Sequence, residues 1–163
     1  MSSSRAAVHE LVSELDYPMF IVTAAAGGEL AGCLVGFTTQ CSIDPPRFLP
    51  CLSDKNRTFR VALEARVLVV HLVPSDATAL AELFGEQTGD EVDKFSQCAW
   101  RPGPEGTPVL EQCGNWFAGR ILEWIDAGDH HVFVLDPFEA ASDRREGQFD
   151  FHRARRMEPG HEA

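Results

Sequence analysis

Five polar or cationic side chains lie between a predicted strand and a predicted helix, and together they could bind an anionic group. They are Ser53, Lys55, Asn56, Arg57 and Thr58. The first backbone N–H groups of a helix lack partners within the helix, and the helix dipole favours negative charge beside them. Hydroxyl, amide and cationic groups at such a helix start therefore predict an anion site. The alternative interpretation is an ordinary capped helix that follows a strand.

A strand interrupted by glycine precedes this stretch and could line a flat ligand. Residues 35–40 read Val-Gly-Phe-Thr-Thr-Gln, and Gly36 allows the backbone to bend and to approach a ligand closely. The sequence Ser-Ile-Asp-Pro-Pro over residues 42–46 then turns the chain into a second apolar strand, residues 47–52. The alternative is a strand with a glycine bulge and no ligand.

Two adjacent histidines follow a turn late in the chain. Gly128-Asp129-His130 opens a predicted strand, and His131 should point to the opposite face because side chains alternate along a strand. An imidazole can hydrogen-bond or stack on a ligand. A histidine pair also suggests a metal, but no third ligand follows at a useful spacing, so the sequence predicts no metal site. The alternative is a simple surface turn.

The order of these segments resembles the flavin reductase-like family of FMN-binding split barrels. The chain agrees with the family's usual pattern at Gly32, Val35, Thr39, Ser42, Asp44, Pro45 and Pro46. It departs from the pattern at four positions where the family usually has hydroxyl side chains, namely Leu34, Gly36, Phe37 and Gln40. The departures imply that hydrogen bonds to a flavin along this strand rely on the backbone and on Gln40.

The resemblance implies a role for each segment. The helix start would hold the phosphate of FMN, and the glycine-interrupted strand would line its isoalloxazine ring. Phe84 and Lys94 match a Phe-Gly and a Lys-Phe of the family, near the flavin rim and a phosphate; the alternative is a core Phe and a solvated Lys. The implied flavin-binding residues are Val35, Gly36, Phe37, Thr38, Gln40, Ser53, Lys55, Asn56, Arg57, Thr58, Phe84 and Lys94.

His130 would position the nicotinamide of NADH or NADPH, since the family commonly has Gly-Asp-His at the start of a late strand. No catalytic acid or base is implied, because N5 of the flavin accepts the hydride. The resemblance therefore implies an NAD(P)H:flavin oxidoreductase acting on FMN or FAD. The reduced flavin would serve a partner monooxygenase or another acceptor.

Two other functions remain open for this resemblance. One is a flavoprotein that retains FMN and reduces another substrate, and the other is a non-catalytic flavin- or haem-binding protein on the same fold. The family also implies a homodimer with the flavin at or near the interface. A small barrel with an exposed cofactor wall has apolar surface that a second subunit could cover.

Composition restricts the partners of this chain. A formal net charge of −11 over 163 residues argues against nucleic acid and against anionic membranes, since both need a basic face. No apolar run reaches the roughly 18 to 20 residues of a membrane span, and the N-terminus has no signal-peptide pattern. We expect a cytoplasmic protein. Five cysteines without a C-x-x-C pair predict small buried side chains rather than a catalytic thiol.

The strands and helices that must position these residues are predicted to form a mainly β protein. Short strands with few helices predict a small barrel. The resemblance implies that this barrel is a six-stranded Greek-key split barrel with peripheral helices. The strands are predicted at 19–25, 30–39, 47–52, 66–72, 116–124 and 131–137, and the helices at 4–15, 57–64 and 76–84. A flavin reductase-like domain is expected over residues 1–141, followed by a charged, solvated tail over 142–163.

Overall fold

The computed structural model describes residues 2–143 and 147–160 of the chain, and these residues contain nine strands and four helices. The helices are α1 (Ser2–Ser13), α2 (Arg57–Glu64), α3 (Thr78–Glu86) and α4 (Phe151–Ala154). The strands are β1 (Phe20–Ala26), β2 (Glu29–Val35), β3 (Thr38–Ser42), β4 (Arg47–Ser53), β5 (Val67–Leu72), β6 (Trp100–Pro102), β7 (Pro108–Leu110), β8 (Trp116–Asp126) and β9 (His130–Ala141). Two short 3-10 turns, Lys94–Ser96 and Pro104–Gly106, flank β6. The prediction of a mainly β protein is confirmed.

Seven of the strands form one antiparallel sheet in the order β2-β1-β5-β8-β9-β4-β3, and β6 pairs with β7 in a separate hairpin. The predicted count of six strands is wrong because the predicted strand 30–39 divides into β2 and β3. The two edge strands are consecutive in sequence, and only Gly36 and Phe37 lie between them. The sheet must therefore curl until its edges come close. No ladder pairs β2 with β3 among the described residues, so the sheet is not closed.

Gly36 permits the break between the edge strands. A Cβ atom placed on Gly36 would lie 2.6 Å from the Tyr17 ring and 3.0 Å from the sulfur of Met19. A side chain here would require the Tyr17 and Met19 side chains to move. The glycine therefore allows these two side chains to pack closely on the backbone where the chain passes from β2 to β3.

The main core fills the inside of the curled sheet. Its fully buried members include Val22, Leu68, Val70, Phe133 and Leu135, which come from β1, β5 and β9. They alternate with outward-facing residues along β9, as expected for a sheet with one face buried. A second apolar cluster packs α3 and the C-terminal segment against the other face of the sheet. These two layers hold the segments that the sequence analysis identified.

A buried histidine connects the sheet to the separate hairpin. His71 on β5 is fully buried, and its Nδ1 lies 2.9 Å from the carbonyl oxygen of Ile21. The backbone N–H of Leu110 on β7 donates to His71 Nε2 over 3.0 Å. Because Nε2 accepts this hydrogen bond, the ring is neutral with its proton on Nδ1. Burial lowers the pKa of His71 to about 4.

The observed helices agree in part with the helices predicted from the sequence. Helix α2 has the predicted bounds because Asn56 caps it, its Oδ1 accepting from the Thr58 N–H over 2.9 Å. Helix α3 begins at Thr78 rather than at Asp76, and its N-cap residue makes no side-chain cap bond. The apolar face predicted for the first helix exists but is exposed, with Leu11 at 72%. Cys41 is exposed, contrary to the expectation for the cysteines.

The predicted solvated tail is wrong for much of the C-terminal segment. Phe149 is 1% exposed and belongs to the second apolar cluster. Its N–H donates to the Val73 carbonyl and its carbonyl accepts from the Met19 N–H, both over 2.8 Å. The aromatic residues of this segment outweigh its charges, because burying an aromatic ring removes a large apolar area from water. The division of the chain at residue 142 stays a prediction.

Candidate functional site

A cavity of about 420 Å³ opens between the edge strand β2, the end of β4, the start of β9 and the C-terminal segment. Six of the predicted site residues line it, namely Val35, Gly36, Phe37, Ser53, Asn56 and His130. They come together because β4 pairs with β9 in a register that places Ser53 opposite His130. The break after β2 brings Gly36 and Phe37 to the same place. The cavity is within the usual size range for a small-molecule site.

A smaller cavity of about 280 Å³ lies at the start of α2. Asn56, Arg57, Thr58 and Lys94 line it, and Asn56 lines the larger cavity as well. Asn56 therefore marks the junction of the two spaces. An elongated ligand with a ring at one end and an anionic group at the other would match this arrangement.

Two residues that line the smaller cavity, Arg57 and Thr58, carry buried polar side-chain atoms without satisfied hydrogen bonds. Arg57 Nε has no partner, and Thr58 Oγ1 has none of normal strength, although the sulfur of Cys33, a weak acceptor, lies beside it. Leaving a buried donor or acceptor unpaired costs free energy. A ligand with anionic oxygens in the smaller cavity would remove that cost if the Arg57 and Thr58 side chains turned to expose these atoms. The predicted anion site is therefore consistent with the side chains present.

The helix start itself offers less than the sequence suggests. The Thr58 N–H already donates to Asn56, and the Phe59 N–H donates to the Asn56 carbonyl over 3.1 Å. The guanidinium of Arg57 donates to the carbonyl of Gly89 over 3.0 Å and pairs with Glu29 over 3.3 Å. An anion here would depend on side chains more than on free helix amides.

Lys94 is buried rather than solvated. Its Nζ donates to the carbonyls of Gly32 and Phe84 over 3.0 and 3.2 Å, and only 4% of the residue is exposed. Burial lowers the pKa of Lys94, and the nearby Cys33 opposes that shift. Lys94 also lines the smaller cavity. Phe84 is a core residue beneath it, with Nζ 5.4 Å from its ring centroid, and does not line either cavity.

Four aromatic rings follow one another along the larger cavity. The His130 and Phe37 centroids are 5.1 Å apart, Phe37 and Tyr17 are 6.4 Å apart, and Tyr17 stacks on Phe151 at 4.6 Å with an interplanar angle of 16°. His130 Nδ1 lies 2.8 Å from the Asp129 carboxylate. That hydrogen bond lowers the pKa of Asp129. The row provides flat, apolar surface next to the polar junction.

His131 faces away from this row, as the alternation of side chains predicts. Its ring stacks on Phe59 at 4.4 Å and contacts Trp124 at 5.3 Å, on the opposite side of β9. The two neighbouring histidines therefore occupy different environments.

Four predicted site residues lie outside both cavities, namely Phe84, described above, and Thr38, Gln40 and Lys55. Thr38 is on the edge strand β3, and the Gln40 side chain is exposed and donates to the Ser42 carbonyl over 3.2 Å. Lys55 is exposed near Asp129. Their role in flavin binding stays a prediction.

The sequence analysis missed residues that complete the larger cavity. Tyr17, Met19, Phe151 and Met157 line it. The available signal was the spacing of Phe149, Phe151 and Met157 within an otherwise charged segment.

Comparison with known proteins identifies the family of this chain. The family described as "Flavin reductase like domain" matches residues 12–157, most of the chain. The chain belongs to this family. The match includes all residues that line the smaller cavity and those that line the larger one up to Met157. The resemblance inferred from the sequence is confirmed.

Relatives and solved structures of the family are similar along most of the chain. The chain is 26% identical over 151 residues to "FMN reductase (NADH) RutF" of Ancylobacter novellus, covering 92% of this chain and 83% of the relative. It is 29% identical over 120 residues to the reductase component of "4-nitrophenol 4-monooxygenase/4-nitrocatechol 2-monooxygenase" of Rhodococcus opacus, covering 74% and 63%. The structure of the NADH:FAD oxidoreductase SgcE6 of Streptomyces globisporus superposes with a TM-score of 0.83 at 20% identity, covering 93% and 90%.

The chain is shorter than several of the curated relatives that it matches. It spans between 37% and 63% of the length of three of them. No helix within residues 2–143 and 147–160 is long and apolar enough to cross a membrane.

Proposed function

We propose that this protein is an NAD(P)H-dependent flavin reductase that acts on FMN. The observation that carries the proposal is the junction of the two cavities. Arg57 and Thr58, whose Nε and hydroxyl lack satisfied hydrogen bonds, line the smaller cavity, and a row of aromatic rings lies along the larger one. Membership of the flavin reductase family and the similarity to an FMN reductase support the same ligand.

The chain's own residues would bind the flavin at two places. Asn56, Arg57, Thr58 and Lys94 would hold the phosphate, and Val35, Gly36 and Phe37 would line the isoalloxazine ring. When bound, the flavin supplies the acceptor for a hydride, so no protein acid or base is required. Two carbonyls accept from the Lys94 ammonium group, so one of its three N–H groups remains to donate to a phosphate.

His130 would position the hydride donor. The Asp129 carboxylate accepts a hydrogen bond from His130 Nδ1, and in the neutral ring Nε2 is then an acceptor. An acceptor at this position suits the amide N–H of a nicotinamide. The Asp129–His130 pair thereby orients the donor without exchanging a proton with it. The same site serves NADH or NADPH, and the relative from Ancylobacter novellus is named for NADH.

A monooxygenase partner is part of the proposal. The relative from Rhodococcus opacus is the reductase component of a monooxygenase, and this chain would supply reduced flavin in the same way. A cytoplasmic location is also proposed, because all five cysteines are free thiols, as is usual in a reducing compartment.

Substitution of Thr58 tests the phosphate site. Thr58→Val removes a buried hydroxyl that lacks a strong partner, so we expect no loss in the free energy of unfolding of the ligand-free protein. Binding of FMN should weaken by about 1 to 2 kcal/mol, the value of one charge-assisted hydrogen bond. Riboflavin is the matched control, because it lacks the phosphate and should bind both proteins equally. Equal losses for FMN and riboflavin, measured by fluorescence titration, would contradict the assignment.

A homodimer is proposed from the exposed apolar surface. Leu122, Trp124 and Ile125 near the end of β8 are 53%, 46% and 50% exposed, with Trp124 and Ile125 on opposite faces of the strand. Light scattering should give the mass of two chains, and Ile125→Asp should shift it toward one. Ile43→Asp, at an isoleucine that is 85% exposed in the turn between β3 and β4, should leave the dimer intact. A wild-type monomer with full FMN affinity would contradict the proposed assembly.

A further inference from the structure

The C-terminal segment is held against the protein at both of its ends. At one end the Phe151 N–H donates to the Tyr17 carbonyl over 2.9 Å, next to the bonds that Phe149 makes with Val73 and Met19. At the other end the Gly160 N–H donates to the Gly85 carbonyl over 3.1 Å. We call residues 148–160 the strap, since they cross from the entrance of β1 to the end of α3.

Apolar side chains of the strap lie along the larger cavity. Phe151, Ala154 and Met157 line it, and Met157 packs so closely on Gly85 that a Cβ there would lie 3.1 Å from the Met157 methyl group. Phe151 stacks on Tyr17, which is the third ring of the row that begins at His130. The strap therefore contributes apolar side chains to a cavity that also has the polar Ser53 and Asn56, and it adds Arg155 and Glu158 to the lining.

We propose that the strap forms the binding wall for the isoalloxazine ring, through Phe151 and Met157. The inference rests on the proposed function. An oxidised isoalloxazine is flat and uncharged, and its dimethylbenzene edge is apolar, so aromatic and thioether groups are suitable contacts. The phosphate would lie at the opposite end, beside Asn56 and Arg57. Recognition by the strap thus depends on the ring and is independent of the phosphate.

Flavin titrations with matched variants test the strap. Phe151→Ala should weaken binding of both FMN and riboflavin by about tenfold, because both ligands carry the ring. Thr58→Val should weaken FMN only, so the two variants separate the ring contact from the phosphate contact. Phe138→Ala is the control, since Phe138 is an exposed aromatic residue of β9 that does not line the cavity. It should bind both flavins like the wild type.

A second measurement uses the unaltered protein, in case Phe151→Ala fails to fold. Hydrogen exchange of the backbone amides of residues 149–157 should slow when either FMN or riboflavin is added to the wild type. Unchanged exchange in a flavin-saturated protein would overturn the strap's role. Wild-type affinity of a folded Phe151→Ala variant would overturn it as well. A wild-type protein that binds no flavin would instead contradict the proposed function itself.

Discussion

His130→Ala should lower kcat/KM for the nicotinamide nucleotide by about tenfold to a hundredfold, or about 1.4 to 2.7 kcal/mol. The imidazole lies in the larger cavity, 5.1 Å from Phe37, and Asp129 fixes its orientation. Loss of this group would leave the donor free to move away from the geometry that hydride transfer needs. Affinity for FMN should hardly change, because the proposed contact of His130 is with the second ligand. Steady-state kinetics and a flavin titration measure the two effects.

His131→Ala is the control for this experiment. His131 is the adjacent residue, but its ring stacks on Phe59 on the other side of β9. The substitution should lower thermal stability while the folded fraction keeps its nicotinamide kinetics. Equal kinetic losses in the two variants would assign the donor-positioning role elsewhere.

The free energy of unfolding should fall by about 3 kcal/mol as the pH is lowered from 7 to 4, through His71 alone. Burial holds the pKa of His71 at about 4 in the folded protein, against an ordinary value of 6.5. The unfolded chain therefore binds a proton first as the pH falls, and the stability contributed by the neutral ring is lost between these two values. Protonation of Nε2 would also break the hydrogen bond from Leu110.

Urea unfolding at several pH values, with the wild type and with His71→Asn, isolates this effect. Carboxylates also make stability depend on pH, so the informative quantity is the difference between the two proteins. The wild type should lose its advantage as the pH falls from 6.5 toward 4. An advantage that stays constant over this range would show that the His71 ring does not titrate as described.

Local signals in the sequence were sufficient for much of the fold. Asn56 before an amphipathic stretch predicts the start of α2, and the β-branched run of residues 67–70 predicts β5. The division between β2 and β3 was missed because a glycine in a strand is compatible with either a bulge or a break. A bulge and a break cannot be told apart from the local sequence. The packing of Tyr17 and Met19 against Gly36 accompanies the break, and this packing is a tertiary feature.

The candidate site was predicted in part for the same reason. The pairing of β4 with β9 brings Ser53 and His130 together. The order of motifs in the sequence had assigned both residues to one flavin and nicotinamide site. The sequence could not show whether Lys94 is buried or solvated, because its buried ammonium group is bound by the carbonyls of Gly32 and Phe84, which lie far from it in the sequence or on another element. The strap was missed because the charged residues around Phe151 conceal the apolar ones that lie against the cavity.

Anaerobic mixing of the purified protein with FMN and NADH or NADPH tests the proposed activity most directly. The proposed function predicts that at least one nucleotide bleaches the visible absorption band of the flavin, in proportion to the nucleotide added. Admission of air should then restore the band, because a released reduced flavin reacts with oxygen. A protein that binds FMN but leaves its band unchanged with both nucleotides would be a non-catalytic flavin-binding protein, and the proposed reductase activity would be wrong.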